Sequence, residues 1–252
     1  MLGAIIGDIV GSRFEFNNTK SLDFDLFTSD CSFTDDTICT VAIADAILNG
    51  KSYRDSLLEW CRKYPNPMGA YGGGFARWIF SDNPQPYNSY GNGSAMRVSP
   101  VGWLFDRNDH VVEEASLTAS VTHNHEEGIK GAQVVAMCIF LLRYGYDKNR
   151  ILDFIRPFYG EVKMPAPFTN PFNETCQETV PVAIACFLES NSFEEAVRNS
   201  IVIGGDSDTI GAITGSIAEA FYRVPDDMRE KAFSYLPEDM LRIIQQFYYA
   251  QI

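Results

Sequence analysis

Residues 204–215 read GGDSDTIGAITG: a pair of glycines, two acids on either side of a serine, and an apolar run in which Gly211 and Gly215 fall four apart. Positions four apart share one face of a helix. The stretch therefore reads as a turn that launches a helix, with Asp208 and Thr209 in its first turn and a face of small residues behind them. Glu219 continues that row. The same spacing recurs in LGAIIGDIVG (residues 2–11), which sets Gly3, Gly7 and Gly11 in register, and in Ala42 and Ala46. Glycine inside a helix costs about 1 kcal/mol relative to alanine, so a row of it points to backbones that approach closely. Ordinary tight core contacts and a drawing together of the acid-bearing helices are both compatible with these rows.

Working outward, helical periodicity dominates and β-branched alternation bounded by turn residues is scarce, which makes the expected fold all-α. The pattern predicts helices over 2–12, 35–48, 53–63, 110–121, 127–144, 148–158, 178–189, 193–201, 208–222, 226–234 and 238–250. Two stretches break it: 64–103, rich in Gly, Pro, Asn and Ser, and 157–175, rich in Pro and Asn. Irregular segments of this length are uncommon unless they carry function, so both are expected to be binding edges.

The 252 residues suit one domain spanning 1–252, since no linker divides them. A net charge of −13 argues against nonspecific binding to nucleic acid or to an anionic membrane. It leaves room for an anionic ligand, because bound metal reverses the local field. The six cysteines, at 31, 39, 61, 138, 176 and 186, form no CxxC pair and sit mostly in apolar helical segments. They read as reduced core residues of a cytoplasmic protein. The N-terminal stretch has no basic leader and carries Asp8, and the longest apolar run, 134–142, falls short of the roughly 20 residues that span a bilayer.

A second acid cluster, FTDDT at 33–37, mirrors the first. Thr34 is a good N-cap, which puts Asp35 and Asp36 in the first turn of the helix that follows. Acids in a first turn are favoured by the helix dipole, so either cluster alone is explained by capping. The pair is harder to explain that way. Brought together, Asp35, Asp36, Asp206 and Asp208 would repel one another unless cations sat among them. The donor set is all oxygen, which suits Mg²⁺, Mn²⁺ or Ca²⁺ better than zinc. Carboxylates at adjacent positions can serve two ions, as in binuclear hydrolytic sites. Asp8 reads as a packing or capping residue. Glu15 is either a general base near the cations or a solvated acid at a helix end. His123 and His125 lie two apart, but with hard oxygen donors assembled elsewhere they are not expected to be ligands.

Together, GDIVGSRFE (7–15), FTDDT, YGGGF (71–75), SYGNGSAMR (89–97), THNH (122–125) and GGDSDTIGAITG resemble, in order, the motifs of the ADP-ribosylglycohydrolase family. The resemblance implies a compact orthogonal helical bundle with two Mg²⁺ or Mn²⁺ ions, cleaving the bond between ADP-ribose and its acceptor. Carried over, Thr34, Asp35, Asp36, Asp206, Asp208 and Thr209 take the ligand positions. Glu15 takes that of an acid that joins the metal site or gates the substrate. Gly72, Gly73 and Gly74, with Ser89, Tyr90, Gly91, Asn92 and Gly93, match segments that contact diphosphate and ribose, and His123 matches a histidine on the nucleotide side. Glycines there let backbone amides approach phosphate oxygens. Tyr90 could stack on a purine or ribose, or simply pack. Two positions depart from the pattern, Ser94 for an expected alanine and Glu126 for a frequent proline; both are expected to affect substrate fit rather than chemistry.

The expected enzyme is thus a glycohydrolase in which Glu15, Asp35 and Asp208 carry catalysis on an ADP-ribosylated protein or small molecule. It is expected as a monomer, with no nucleic-acid or membrane partner. A metal-dependent phosphohydrolase of nucleotide diphosphates would use the same ligands. A binding or structural protein on the same scaffold would not need paired clusters.

Overall fold

The computed structural model describes residues 1–250 and holds fourteen helices: α1 Leu2–Gly11, α2 Asp35–Asn49, α3 Tyr53–Lys63, α4 Gly73–Ile79, α5 Gly93–Met96, α6 Ser99–Leu104, α7 Asn108–Ser120, α8 Glu126–Arg143, α9 Lys148–Tyr159, α10 Cys176–Leu188, α11 Phe193–Val202, α12 Ser207–Tyr222, α13 Asp226–Phe233 and α14 Glu238–Tyr249. Among those residues there is no strand, only two isolated bridges, Thr34 with Met68 and Gly91 with Thr175. The fold is all-helical, as the periodicity requires. None of these helices is long and apolar enough to cross a membrane.

The glycine rows meet each other. A Cβ built on Gly3 would lie 2.1 Å from Gly215 O, one on Gly7 1.9 Å from Gly211 O, and one on Gly11 2.5 Å from Asp208 Cα. Helices α1 and α12 therefore run antiparallel with their backbones in contact. That pairing sets the C-terminal end of α1 beside the acidic N-terminal turn of α12. At the opposite end Glu219, in register with the glycines, accepts the Gly3 amide (2.8 Å) and the Tyr248 hydroxyl (2.6 Å). The Ala42 row serves a different neighbour, since Ser56 Oγ of α3 donates to Ala42 O at 2.7 Å.

Helix α2 is fixed to α1 by Asp8, which is fully buried. Its carboxylate accepts the Thr34 amide (3.0 Å), the Thr34 hydroxyl (2.7 Å), the Thr37 amide (3.1 Å) and the Thr37 hydroxyl. Asp8 thus caps a helix other than its own, satisfying first-turn donors that have no partner within the helix. Three helices, α1, α2 and α12, are locked at one end, and that end carries both acid clusters.

The stretch 64–103 is not irregular throughout: α4, α5 and α6 lie inside it. They are seven, four and six residues long, at most two turns, which leaves too few positions for an apolar stripe to repeat. Residues 160–175 do stay outside helices, and α9 runs past Pro157 to Tyr159. This segment is pinned where α11 leads into α12, through Phe168 N to Val202 O (2.8 Å), Asn170 N to Ile203 O (3.0 Å) and Asn170 Nδ2 to Gly204 O (3.1 Å).

Candidate metal centre and ligand cavity

Each acid cluster owes its position to its own turn. Thr34 has extended backbone and its hydroxyl accepts the Asp36 amide at 3.2 Å, the N-cap its sequence predicts. Gly204 and Gly205, at φ 86° and 89°, take the left-handed turn that launches α12, a conformation costly for any residue with a Cβ. Asp206 occupies the N-cap position of α12 yet makes no capping bond. Its Oδ2 instead accepts Asn92 Nδ2 at 2.7 Å. Capping therefore explains Thr34 but not Asp206.

The two clusters converge on one cavity of about 310 Å³. Asp35, Asp36, Asp206, Asp208, Thr209 and Glu15 line one part of it, with Glu174 beside them. Thr209 Oγ1 donates to Asp36 Oδ1 at 3.3 Å, joining residues 173 positions apart. Carboxylate oxygens of Glu15, Asp206 and Asp208 lie within 4.8 Å of one another. Asp36 is 2 % exposed and Asp208 4 %. Asp36 Oδ2 and Glu15 Oε2 are buried without a hydrogen-bond partner. No ion pair among the described residues reaches any of these carboxylates.

Burial without counter-charge has a direct electrostatic result. It pushes Asp35, Asp36 and Asp208 well above the carboxylate range, with mutual repulsion adding to it. Asp206 rises to about 7 and Glu15 to about 8, in both cases by burial first; next for Glu15 comes the charge of Asp208. This donor set fits divalent cations: clustered oxygens, two of them orphaned, with an excess of negative charge. Thr34 differs from the other expected ligands, because its hydroxyl is engaged with Asp8 and the Asp36 amide and it does not line the cavity.

A stability prediction follows. A carboxyl whose pKa is raised on folding binds more protons folded than unfolded, so its contribution is lost as pH rises from about 4, the unfolded value, through the folded value. The metal-free protein is expected to lose stability between about pH 4 and pH 8. Added Mg²⁺ or Mn²⁺ should raise the melting temperature more at pH 8 than at pH 5. An equal shift at both would show that the ions do not bind among these acids.

The rest of the cavity is formed by the two glycine segments. Gly72, Gly73 and Gly74 form the start of α4, and a Cβ on Gly72 would meet nothing within 4 Å. Ser89, Gly91, Asn92, Gly93 and His123 also line it. Asn92 is committed to the protein: its Nδ2 donates to Asp206 and to Thr179 Oγ1 (3.2 Å), so it holds the Asp206 carboxylate in place. Tyr90 departs from its expected place. It does not line the cavity but packs on His125, with ring centroids 5.2 Å apart. Tyr87, Tyr71 and Phe75 supply the aromatic walls instead. His125, left without a role by its spacing, caps α8 through Nδ1, which accepts the Glu127 amide at 3.1 Å.

Arg97, Glu174 and Phe16 also line the cavity, with no role assigned to them by the sequence pattern. Arg97, 1 % exposed, is the one Arg or Lys lining the cavity and is the last residue of the SYGNGSAMR motif. Glu174 and Phe16 come from loops with no periodic signal. The two departures from the motif pattern do not line the cavity. Ser94 is buried and donates to Gly128 O at 2.7 Å, tying α5 to α8, and Glu126 is exposed in the first turn of α8.

A family model described as ADP-ribosylglycohydrolase matches residues 1–251. Among similar proteins, the human ADP-ribosylhydrolase ARH3 is 26 % identical over 96 % of this chain and 90 % of its own. The ADP-ribosylarginine hydrolase Tri1 of Pseudomonas putida is 26 % identical over 89 % of this chain and 70 % of its own. A solved chain described as an ADP-ribosylglycohydrolase-related protein complex superposes with a TM-score of 0.77 at 21 % identity, covering 100 % of this chain and 96 % of that one, which shows the shared fold. With its motifs in order, its acids in one cavity and a family model matching from end to end, the chain belongs to the ADP-ribosylglycohydrolase family.

Proposed function

We propose that this protein hydrolyses the glycosidic bond between ADP-ribose and an acceptor, with two Mg²⁺ or Mn²⁺ ions held by Asp35, Asp36, Asp206, Asp208 and Thr209. The observation that carries this reading is the convergence of the 35–36 and 206–209 segments, with orphaned carboxylate oxygens, in a cavity also lined by two glycine segments. The chemistry such ions supply when bound is polarisation and orientation of a water and of substrate oxygens.

The chain's own groups supply the rest. Asn92 fixes Asp206, and Thr209 fixes Asp36, so those donors are positioned before a ligand arrives. Glu15 lines the cavity beside Asp208 and is half-buried. A carboxyl whose pKa lies near the working pH is suited to proton transfer, and we assign Glu15, in its ionised form, to take the proton of the attacking water and to return it to the departing acceptor atom as the glycosidic bond breaks. Asp35 and Asp208 add negative charge beside a reacting carbon that becomes oxocarbenium-like. Amides around Gly72–Gly74 and Gly91–Gly93 suit a diphosphate in a protein with few basic groups at hand. The substrate is an ADP-ribosylated protein side chain or a small-molecule ADP-ribose conjugate, and six free cysteines support a reducing, cytoplasmic setting.

Product analysis tests the reaction. Incubation of ADP-ribosylated peptides with protein and Mg²⁺ or Mn²⁺ is expected to release intact ADP-ribose, identified by mass. Release of AMP would mean diphosphate cleavage instead. Saturable ADP-ribose binding with no turnover on any acceptor would mean a binding protein.

A further inference from the structure

His123 is 5 % exposed and lines the cavity, and both of its ring nitrogens can be followed. Nδ1 lies 2.7 Å from Thr122 Oγ1. The same hydroxyl oxygen accepts Arg97 Nη2 at 2.8 Å, and that nitrogen also donates to Thr118 O at 2.9 Å. A guanidinium only donates and a hydroxyl has one proton. Thr122 is fully buried, and its hydroxyl makes no other hydrogen bond among the described residues. Were Nδ1 protonated, the threonine proton would be left buried without an acceptor, which costs more than the bond gained. The arrangement that leaves neither the Thr122 hydroxyl nor Nδ1 unpaired runs one way: Arg97 to Thr122, Thr122 to Nδ1, with the ring proton on Nε2.

Nε2 faces the glycine segment. A Cβ on Gly93 would lie 3.2 Å from it, and one on Gly91 3.5 Å. We infer that Arg97 and Thr122 are positioning residues that lock His123 as a neutral Nε2–H donor aimed into the cavity between Gly91 and Gly93, ready for an acceptor oxygen of the ligand. The locking of the ring is independent of what the cavity binds; identifying that oxygen with ADP-ribose rests on the proposed function.

The surroundings agree. Burial first, and then the Arg97 charge, hold the imidazole well below its ordinary pKa. The other titratable or charged groups on elements packed against it are Tyr87, whose ring centroid lies 6.1 Å away, Cys176 and Glu174 at the start of α10, and Glu126, Glu127 and Lys130 on α8. Glu127 is paired with Lys130. Arg97 is the one of these whose charge bears on the imidazole, and it opposes protonation. The protein therefore has a donor for a phosphate or ribose oxygen that adds no charge and does not switch with pH in the neutral range.

Long-range ¹H–¹⁵N spectra of the imidazoles test this directly. The sequence contains three histidines, and His110→Gln and His125→Gln assign the remaining ring. In the wild type His123 is expected to show the Nε2–H tautomer and to remain neutral as pH falls through the ordinary imidazole value of about 6.5. In Thr122→Val its Nδ1 resonance should move toward that of an unbonded pyridine-type nitrogen, and ADP-ribose affinity by calorimetry should fall about tenfold. Thr122→Ser should restore both. A loss of packing alone would move neither the nitrogen resonance nor its rescue by serine. An Nδ1–H tautomer, titration near pH 6.5, or an Nδ1 resonance unchanged in Thr122→Val overturns the relay. The wild-type spectrum decides even if the valine variant does not fold. A locked Nε2–H that ADP-ribose leaves unperturbed supports the relay and counts against ADP-ribose as the ligand.

Discussion

Asp208→Asn is expected to lower kcat/KM by about a thousandfold, roughly 4 kcal/mol of transition-state stabilisation, while raising the melting temperature of the metal-free protein. The two effects have one cause. Asp208 is 4 % exposed, its carboxylate lies within 4.8 Å of those of Glu15 and Asp206, and no cationic side chain pairs with it. Its charge is costly in the empty fold and useful only when divalent ions are present. The asparagine keeps the shape, removes the repulsion, and leaves Oδ1 able to accept the Thr209 amide as Asp208 does at 3.0 Å. Steady-state kinetics on a released-ADP-ribose assay, with thermal melts with and without Mg²⁺, read both effects. A variant retaining activity within tenfold, or one less stable than the metal-free wild type, would refute the metal assignment. A residue kept for capping would give the opposite stability change, since losing a cap destabilises by about 1 kcal/mol.

Gly7→Ala is expected to destabilise the protein by about 3 kcal/mol or more and to lower activity even where it stays folded. The sign is unusual, because replacing a helical glycine by alanine ordinarily gains about 1 kcal/mol. Here the new methyl would sit 1.9 Å from Gly211 O, 2.2 Å from Gly211 C and 2.7 Å from Ala212 N, all backbone atoms of α12 that no rotamer change can move. Helix α12 must shift outward, and it carries Asp206 and Asp208 with it, while Asp8 holds α1 to α2. Gly215→Ala makes a comparable clash, 2.1 Å to Gly3 O, at the other end of the pair. It is expected to cost similar stability and less activity, so chemical denaturation and kinetics on the two variants separate the fold from the site. Equal stability of Gly7→Ala and wild type would show that the two backbones do not touch.

The glycine rows show how far local pattern reaches. Gly3, Gly7 and Gly11 announced that some helix would come close, and Gly211 and Gly215 said the same of another helix. Each row is a one-dimensional signal, a period of four, so it is visible in a single segment. The acid clusters were visible for the same reason: FTDDT and GGDSDT concentrate unusual chemistry within a few consecutive residues. Capping by Thr34 was likewise a local matter.

What stayed hidden depended on direction and distance. Tyr87 and Tyr90 are three apart in an irregular segment, and no periodicity says that the first faces the cavity and the second packs on His125. Asn92 is expected at the ligand because its segment resembles a ligand-contacting motif of the family, yet its amide nitrogen is taken up by Asp206, 114 residues away. Helices α4 to α6 were too short to repeat a pattern.

The helical class, the close-packing faces and the oxygen chemistry of two segments are legible without coordinates, because each is written in neighbouring residues whose geometry the backbone alone dictates. That those segments share one cavity, that Asp8 ties their helices together, and that Arg97 and Thr122 set the proton on His123 emerged from the packing of the folded chain. These are relations between groups far apart along the chain. They exist because antiparallel contact of α1 with α12 brings the helix ends to one place.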